Sequence, residues 1–143
     1  MQKDTQKQQE FDHIGYVVEQ QFHIKIADDG RWFHEGGEIH RKALVKLFST
    51  VLKRDSDGVF WLETPVEKGR IEVEDAPFIA TALTVDNADS AALDGHPALH
   101  FTTNVDDHVR LDAAHPLQML PRPDGSGLQP YIEVRDGLLA KLS

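Results

Sequence analysis

The sequence predicts an α+β fold of two small β-rich modules, each built from mainly antiparallel hairpins and one helix. Three observations lead there. Short runs of alternating apolar and polar residues recur between Asp-Gly, Gly-Gly and Pro-containing breaks. One stretch, 38–55, spaces its apolar residues for a helix, and a ten-residue part of it has a partial echo near the C-terminus. With 143 residues, 40% of them apolar, the chain can build a core as one domain or as two small ones.

Taken in order, MQKDTQKQQ (1–9) has almost nothing apolar and is expected to be a disordered tail, followed by an N-terminal module over 10–80 and a C-terminal module over 81–143. In FHIKIADDGRWFHEGG (22–37), Phe22, Ile24 and Ile26 alternate, Asp29-Gly30 supplies a turn, Trp32 lies on the return strand and Gly36-Gly37 breaks it. In EIHRKALVKLFSTVLKRD, Leu44, Leu47, Phe48 and Val51 fall at i, i+3, i+4 and i+7, which predicts a helix stopped by the Asp55-Ser56-Asp57-Gly58 turn. LETPVEKGRIEVEDAPF (62–78) reads as two strands joined by a tight turn around Glu67-Lys68-Gly69, with Lys68 and Arg70 at its tip. Pro77 ends that ladder and FIATALTVD opens a new strand. ALHFTTNVDDHVRL predicts a hairpin turning at Asp106-Asp107, and the four prolines of DAAHPLQMLPRPDGSGLQP predict an irregular connection. YIEVRDGLLAKLS closes the chain as a strand leading into the start of a helix. EIHRKALVKL (38–47) aligns with EVRDGLLAKL (133–142) at four of ten positions, which fits duplication or chance alike.

Charge narrows the function classes. At a formal −9, with acidic residues in excess on both sides of Asp75, the chain is not expected to bind nucleic acid generally, because phosphate contacts draw on clustered Lys and Arg. There is no cysteine, and no apolar leader or membrane span is evident, which points to a cytoplasmic protein. Nucleophile signatures are missing, and Gly125-Ser126-Gly127 lacks the lysine of a phosphate loop. Among the eight histidines, His34, His40, His96, His100, His108 and His115 are the candidates for a metal-dependent hydrolase. His96 and His100 sit four apart, but Pro97 argues against a shared helix, and on a strand they stand about 13 Å apart. No metal and no cofactor is predicted, and catalysis is not expected. Asp55-x-Asp57-Gly58 reads as a turn in preference to a calcium loop. Glu72 and Glu74 share a strand face with Arg70, a pattern of charge compensation.

The run I-x-I-x-x-D-G-x-W-x-H-E-G-G-x-I-x-R (24–41), with LKRDSDG (52–58), LETPVEKGRIEVEDAPF and PYIEVRDG (130–137), resembles the bacterial family called domain of unknown function 1285 from about residue 20 onward. The resemblance implies a duplicated α+β architecture with a superficially pleckstrin-homology-like C-terminal part. It also implies a nucleotide-like ligand at the junction of the two parts, in signal transduction. The motif positions it carries over are Trp32, His34, Glu35 and Arg41, then Glu67, Lys68, Glu74, Asp75 and Phe78, then Glu133 and Arg135. The chain ends at Ser143, where the family pattern leads one to expect more helix and a last strand.

Together these readings nominate a ligand site of Trp32, His40, Arg41, Glu67, Lys68, Arg70, Asp75 and Arg135. Lys68 and Arg70 beside a helix start bearing His40 and Arg41 would make a cationic spot for phosphate or carboxylate. Trp32 offers either a stacking face for a base or ordinary core packing. The alternative is a protein–protein adaptor that uses an exposed strand edge.

Overall fold

The computed structural model describes residues 18–86 and 97–142; the expected tail at 1–9 and His96 lie outside them. Contacts divide the chain into two compact units. The first comprises residues through Lys25 and Trp32–Glu72, and the second Ile26–Arg31 and the described residues from Val73 onward.

The first unit carries a six-stranded sheet and the helix. Its elements are β1 (Val18–Ile26), β2 (Trp32–His34), β3 (Gly37–Glu38), α1 (Lys42–Ser49), β4 (Leu52–Arg54), β5 (Phe60–Glu63) and β6 (Glu67–Val73). The second unit carries β7 (Phe78–Asp86), β8 (Ala98–Thr103), β9 (His108–Arg110), β10 (Leu117–Pro121), β11 (Leu128–Arg135) and β12 (Leu138–Leu142). The strand orders are β3-β2-β1-β6-β5-β4 and β10-β11-β12-β7-β8-β9. Read backwards, the second is the first with six added to every label. Each sheet is two three-stranded antiparallel meanders joined at the centre by its first and last strands. In the second sheet that central pair, β12 and β7, is parallel. In the first, the contacts advance from Gln20 with Glu67 to Ile26 with Glu74 along both strands, so β1 and β6 also run parallel.

The duplication is therefore topological, and it corrects the alignment of 38–47 with 133–142. The first segment is β3 leading into α1, whereas the second is the β11–β12 hairpin turned at Asp136-Gly137. Under the six-strand offset, α1 corresponds to the connection between β9 and β10. The expected C-terminal helix is accordingly a strand: Leu138 and Ala140 are buried on alternate positions, and Ala140 pairs with Phe78. One helix is present among the described residues.

Three further expectations shift. The helix stops at Ser49, not near Arg54, because Leu52 gains more by pairing with Leu62 in the sheet, where it is 1% exposed. Its inward side carries Leu44, Val45 and Phe48, while Leu47 stays exposed. The β5–β6 turn falls at Thr64-Pro65-Val66, where the Thr64 hydroxyl accepts the Val66 and Glu67 amides. Lys68 and Arg70 thus lie inside a central strand, not at a hairpin tip. The proline-rich stretch is also more regular than expected: Pro116 and Pro121 bracket the edge strand β10, where a missing N–H costs no ladder bond.

Strand periodicity sorts the faces of the first sheet. Ile24, Trp32, Leu52, Leu62 and Ile71 are buried, and Phe48 of α1 stacks on Trp32 with ring centroids 6.2 Å apart. The helix therefore covers the inner face. The second unit is built on Phe78, Ile132, Leu138 and Ala140. Its Ile26–Arg31 segment turns through Gly30 at φ +90°, where an added Cβ would stand 2.7 Å from Ile79. Asn104 secures that turn by donating to the Gly30 carbonyl and accepting the Ile79 amide.

Candidate functional site

The outer face of the first sheet is assembled by register. Trp61 of β5 lies opposite Arg70 of β6 and Lys53 of β4. The Lys68 ammonium sits 4.4 Å from the Trp61 ring centroid and the Arg70 guanidinium 5.9 Å from it, so the half-buried indole is flanked by two cations. Asp55 fixes the ring. Its carboxylate accepts the Trp61 indole N–H at 2.9 Å and the Asp57 and Val59 amides. The Trp61 hydrogen bond is foremost in holding the Asp55 carboxyl below the usual range. Farther across the face, Lys25 of β1 sits 5.7 Å above the Phe33 ring.

Between β1 and β6 this face opens into a cleft of about 450 Å³ lined by Gln21, His23, Ile24, Lys25, Arg70, Ile71 and Glu72. His23, in the cleft lining, takes φ +55° in the middle of β1, a left-handed conformation, while the strand keeps its alternation with Ile24 and Ile26 buried, and its carbonyl accepts the Glu35 amide at 3.0 Å. The strain sits within the cleft lining, where strained backbone commonly serves binding.

The second unit holds a different polar cluster. Tyr131 donates its phenol to Asp75 at 2.5 Å, and Lys141 pairs with the other Asp75 oxygen at 3.3 Å while donating to the Asp28 carbonyl at 2.7 Å. Burial, reinforced by the Asp75 carboxylate, pushes the Tyr131 phenol up to about 12. The folded state thus retains this proton above pH 10, where an unfolded tyrosine loses it, so the contribution is complete below about pH 10 and disappears as the pH rises through about 12. Tyr131→Phe is expected to flatten the stability profile over that window, as measured by denaturant titrations at successive pH values.

The nominated residues are thus divided. Lys68, Arg70 and Glu67 share β6, with Glu67 accepting from Gln20 and Lys68 pairing with Glu19 at 3.7 Å. Trp32 is 1% exposed and packs in the core, the second of the two roles its sequence context left open. Its outer-face counterpart is Trp61, which the sequence reading passed over although it stands two residues before Glu63 in the same hairpin. His40 is exposed and pairs with Glu38 at 3.5 Å. Arg41 occupies the N-cap of α1 without a side-chain capping bond. Neither lines the cleft that holds Arg70, and the helix they introduce covers the opposite face of the sheet. In the second unit, Asp75 belongs to the Tyr131–Lys141 cluster, and Arg135 packs over Phe78 at 5.4 Å with Asp107 3.9 Å away. Among the described residues no group of three His, Asp or Glu side chains is placed to hold a metal ion. Nor is any helix among the described residues long and apolar enough to cross a membrane.

Comparison with known proteins agrees with the motif resemblance. Residues 17–76 match the family model described as domain of unknown function (DUF1285), N-terminal domain, and residues 77–143 match the model of its C-terminal domain. A crystal structure of a DUF1285 family protein from Silicibacter pomeroyi DSS-3 is 37% identical, with a TM-score of 0.79, over 92% of this chain and 69% of that one. A second, from Shewanella baltica OS155, is 27% identical, with a TM-score of 0.60, over 85% of this chain and 84% of that one. No curated protein matches the chain. With the two family models together covering residues 17–143 and a solved relative sharing its fold, the chain belongs to the DUF1285 family.

Proposed function

We propose that the protein is a non-catalytic binding module for a small, anionic, nucleotide-like ligand, seated on the outer face of the first sheet and serving a cytoplasmic sensing role in signal transduction. The observation that carries this reading is the cleft lined by two cationic side chains, Lys25 and Arg70, with the left-handed His23 beside them, on a protein of net charge −9. The cleft volume of about 450 Å³ falls in the range of small-molecule sites. Arg70 offers a planar fork for phosphate, Lys25 and Lys68 add charge, and Trp61 beside them offers an aromatic surface for a base.

The test is a thermal-shift screen of nucleosides and their mono- and diphosphates, since a ligand bound only to the folded state raises its melting temperature. At least one phosphorylated compound is expected to stabilise the protein more than its parent nucleoside. Arg70→Ala and Lys25→Ala are each expected to weaken that compound by about tenfold or more, the worth of one charge-assisted hydrogen bond. Arg41→Ala is expected to leave it unchanged. Retention of the full shift in Arg70→Ala would remove the site assignment.

A protein partner is the second reading, favoured by the edge strand β10 and the β11 residue that follows its turn. There Leu117, Met119 and Leu128 are exposed beside unpaired backbone. An Arg substituted at Met119 should abolish such binding without altering the nucleotide response.

A further inference from the structure

The second unit contains its own cleft, of about 290 Å³, and its charges are laid out in opposition. Asp28, Glu74 and Asp75 contribute carboxylates from the turn after β1 and the segment before β7. Arg122 contributes a guanidinium from the exposed β10–β11 turn, where Asp124 adds a further carboxylate that accepts the Ser126 amide. Part of this set is already engaged. Asp75 is occupied by Tyr131 and Lys141, with its side chain only 9% exposed, and Lys141 is further occupied by the Asp28 carbonyl. Gln129, also buried in the lining, donates to the Pro130 and Leu142 carbonyls. These bonds make a fixed floor. The exposed Asp28 and Glu74, whose Oε1 accepts the Asp28 amide at 3.3 Å, line the cleft with carboxylate acceptors; Arg122 offers donors.

A simple anion would meet the carboxylates and be repelled, and a simple cation would meet Arg122. We propose that this cleft binds a small zwitterion of the free amino-acid type, its ammonium received by Asp28 and Glu74 and its carboxylate by Arg122. The carboxylate–guanidinium contact is the planar, forked arrangement for which arginine is suited. A cleft of 290 Å³ limits the ligand to about one amino acid. This site is separate in residues and in charge from the one proposed on the first sheet.

The experiment titrates the whole chain with free L-amino acids up to about 10 mM, followed by calorimetry and thermal shift. The N-acetylated and the carboxamide forms of each serve as half-ligands. At least one free amino acid is expected to bind, and capping either end is expected to weaken it about tenfold or more. Arg122→Ala should lose the preference for the free acid over its amide, because only the carboxylate end uses that residue. Glu74→Gln should lose the preference for the free amine, and Asp28→Asn tests the same half should Glu74→Gln unfold. Lys53→Ala, on the first sheet, should bind as the parent does. Absence of binding by every amino acid, equal binding of capped and free forms, or unchanged preference in Arg122→Ala overturns the proposal.

Discussion

Trp32→Ala is expected to destabilise the protein by about 3–5 kcal/mol, as read by equilibrium denaturation. The indole is 1% exposed and stacked on Phe48, so its removal leaves a cavity between sheet and helix that neither element can close without leaving its register. Trp32→Phe should cost far less. It keeps an aromatic ring against Phe48, and it deletes an indole N–H that is buried without an acceptor among the described residues. The same variant leaves Trp61 as the only tryptophan of the two in the sequence. Its fluorescence should then still respond to a bound nucleotide if the outer face is the site, and a response lost with Trp32 would return that residue to a binding role.

Gly69→Ala is expected to cost about 3 kcal/mol, at the upper end of overpacking penalties. A Cβ at residue 69 would be driven into the ring of Phe22, and the ring's attachment carbon Cγ is among the three nearest atoms, so rotating the ring about its own axis does not relieve the clash. Gly69 faces inward opposite Leu62 on a central strand, which leaves the backbone little room to retreat. Combining the change with Phe22→Ala should recover much of the loss, giving a coupling of 1 kcal/mol or more in roughly the sense that neighbouring residues show. Strict additivity of the two variants would mean that Phe22 does not occupy the space in question.

The outer face shows why only part of the site was legible. Lys68, Arg70 and the strand alternation that puts them on one side are visible in EKGRIEV. Trp61 sits as plainly in VFWLET, but nothing local says that it lies opposite Arg70 and not in the core, since that depends on the turn falling at Thr64-Pro65-Val66. A turn placed at Glu67–Gly69 moves the cross-strand partners and hides the pairing. Trp32 presents the reverse case. Beside His34, Glu35 and Arg41 it looks like a motif residue, yet α1 folds over it and its environment is apolar. The helix boundary and the C-terminal strand follow the same pattern: helical spacing in 38–55 and in GLLAKL is outweighed where sheet pairing buries Leu52, Leu138 and Ala140.

What the sequence by itself determined is what short-range physics controls. Alternation set most of the strands, Asp-Gly and related pairs set several turns, and the motif runs set the family. The tertiary structure alone decided the strand order, the two parallel central pairs, the left-handed His23 in the lining of the first cleft, and the meeting of Asp75, Tyr131 and Lys141 in the second unit. Those features join residues tens of positions apart, and no local propensity encodes them, because their free energy comes from burial and pairing that exist only once the sheets have closed.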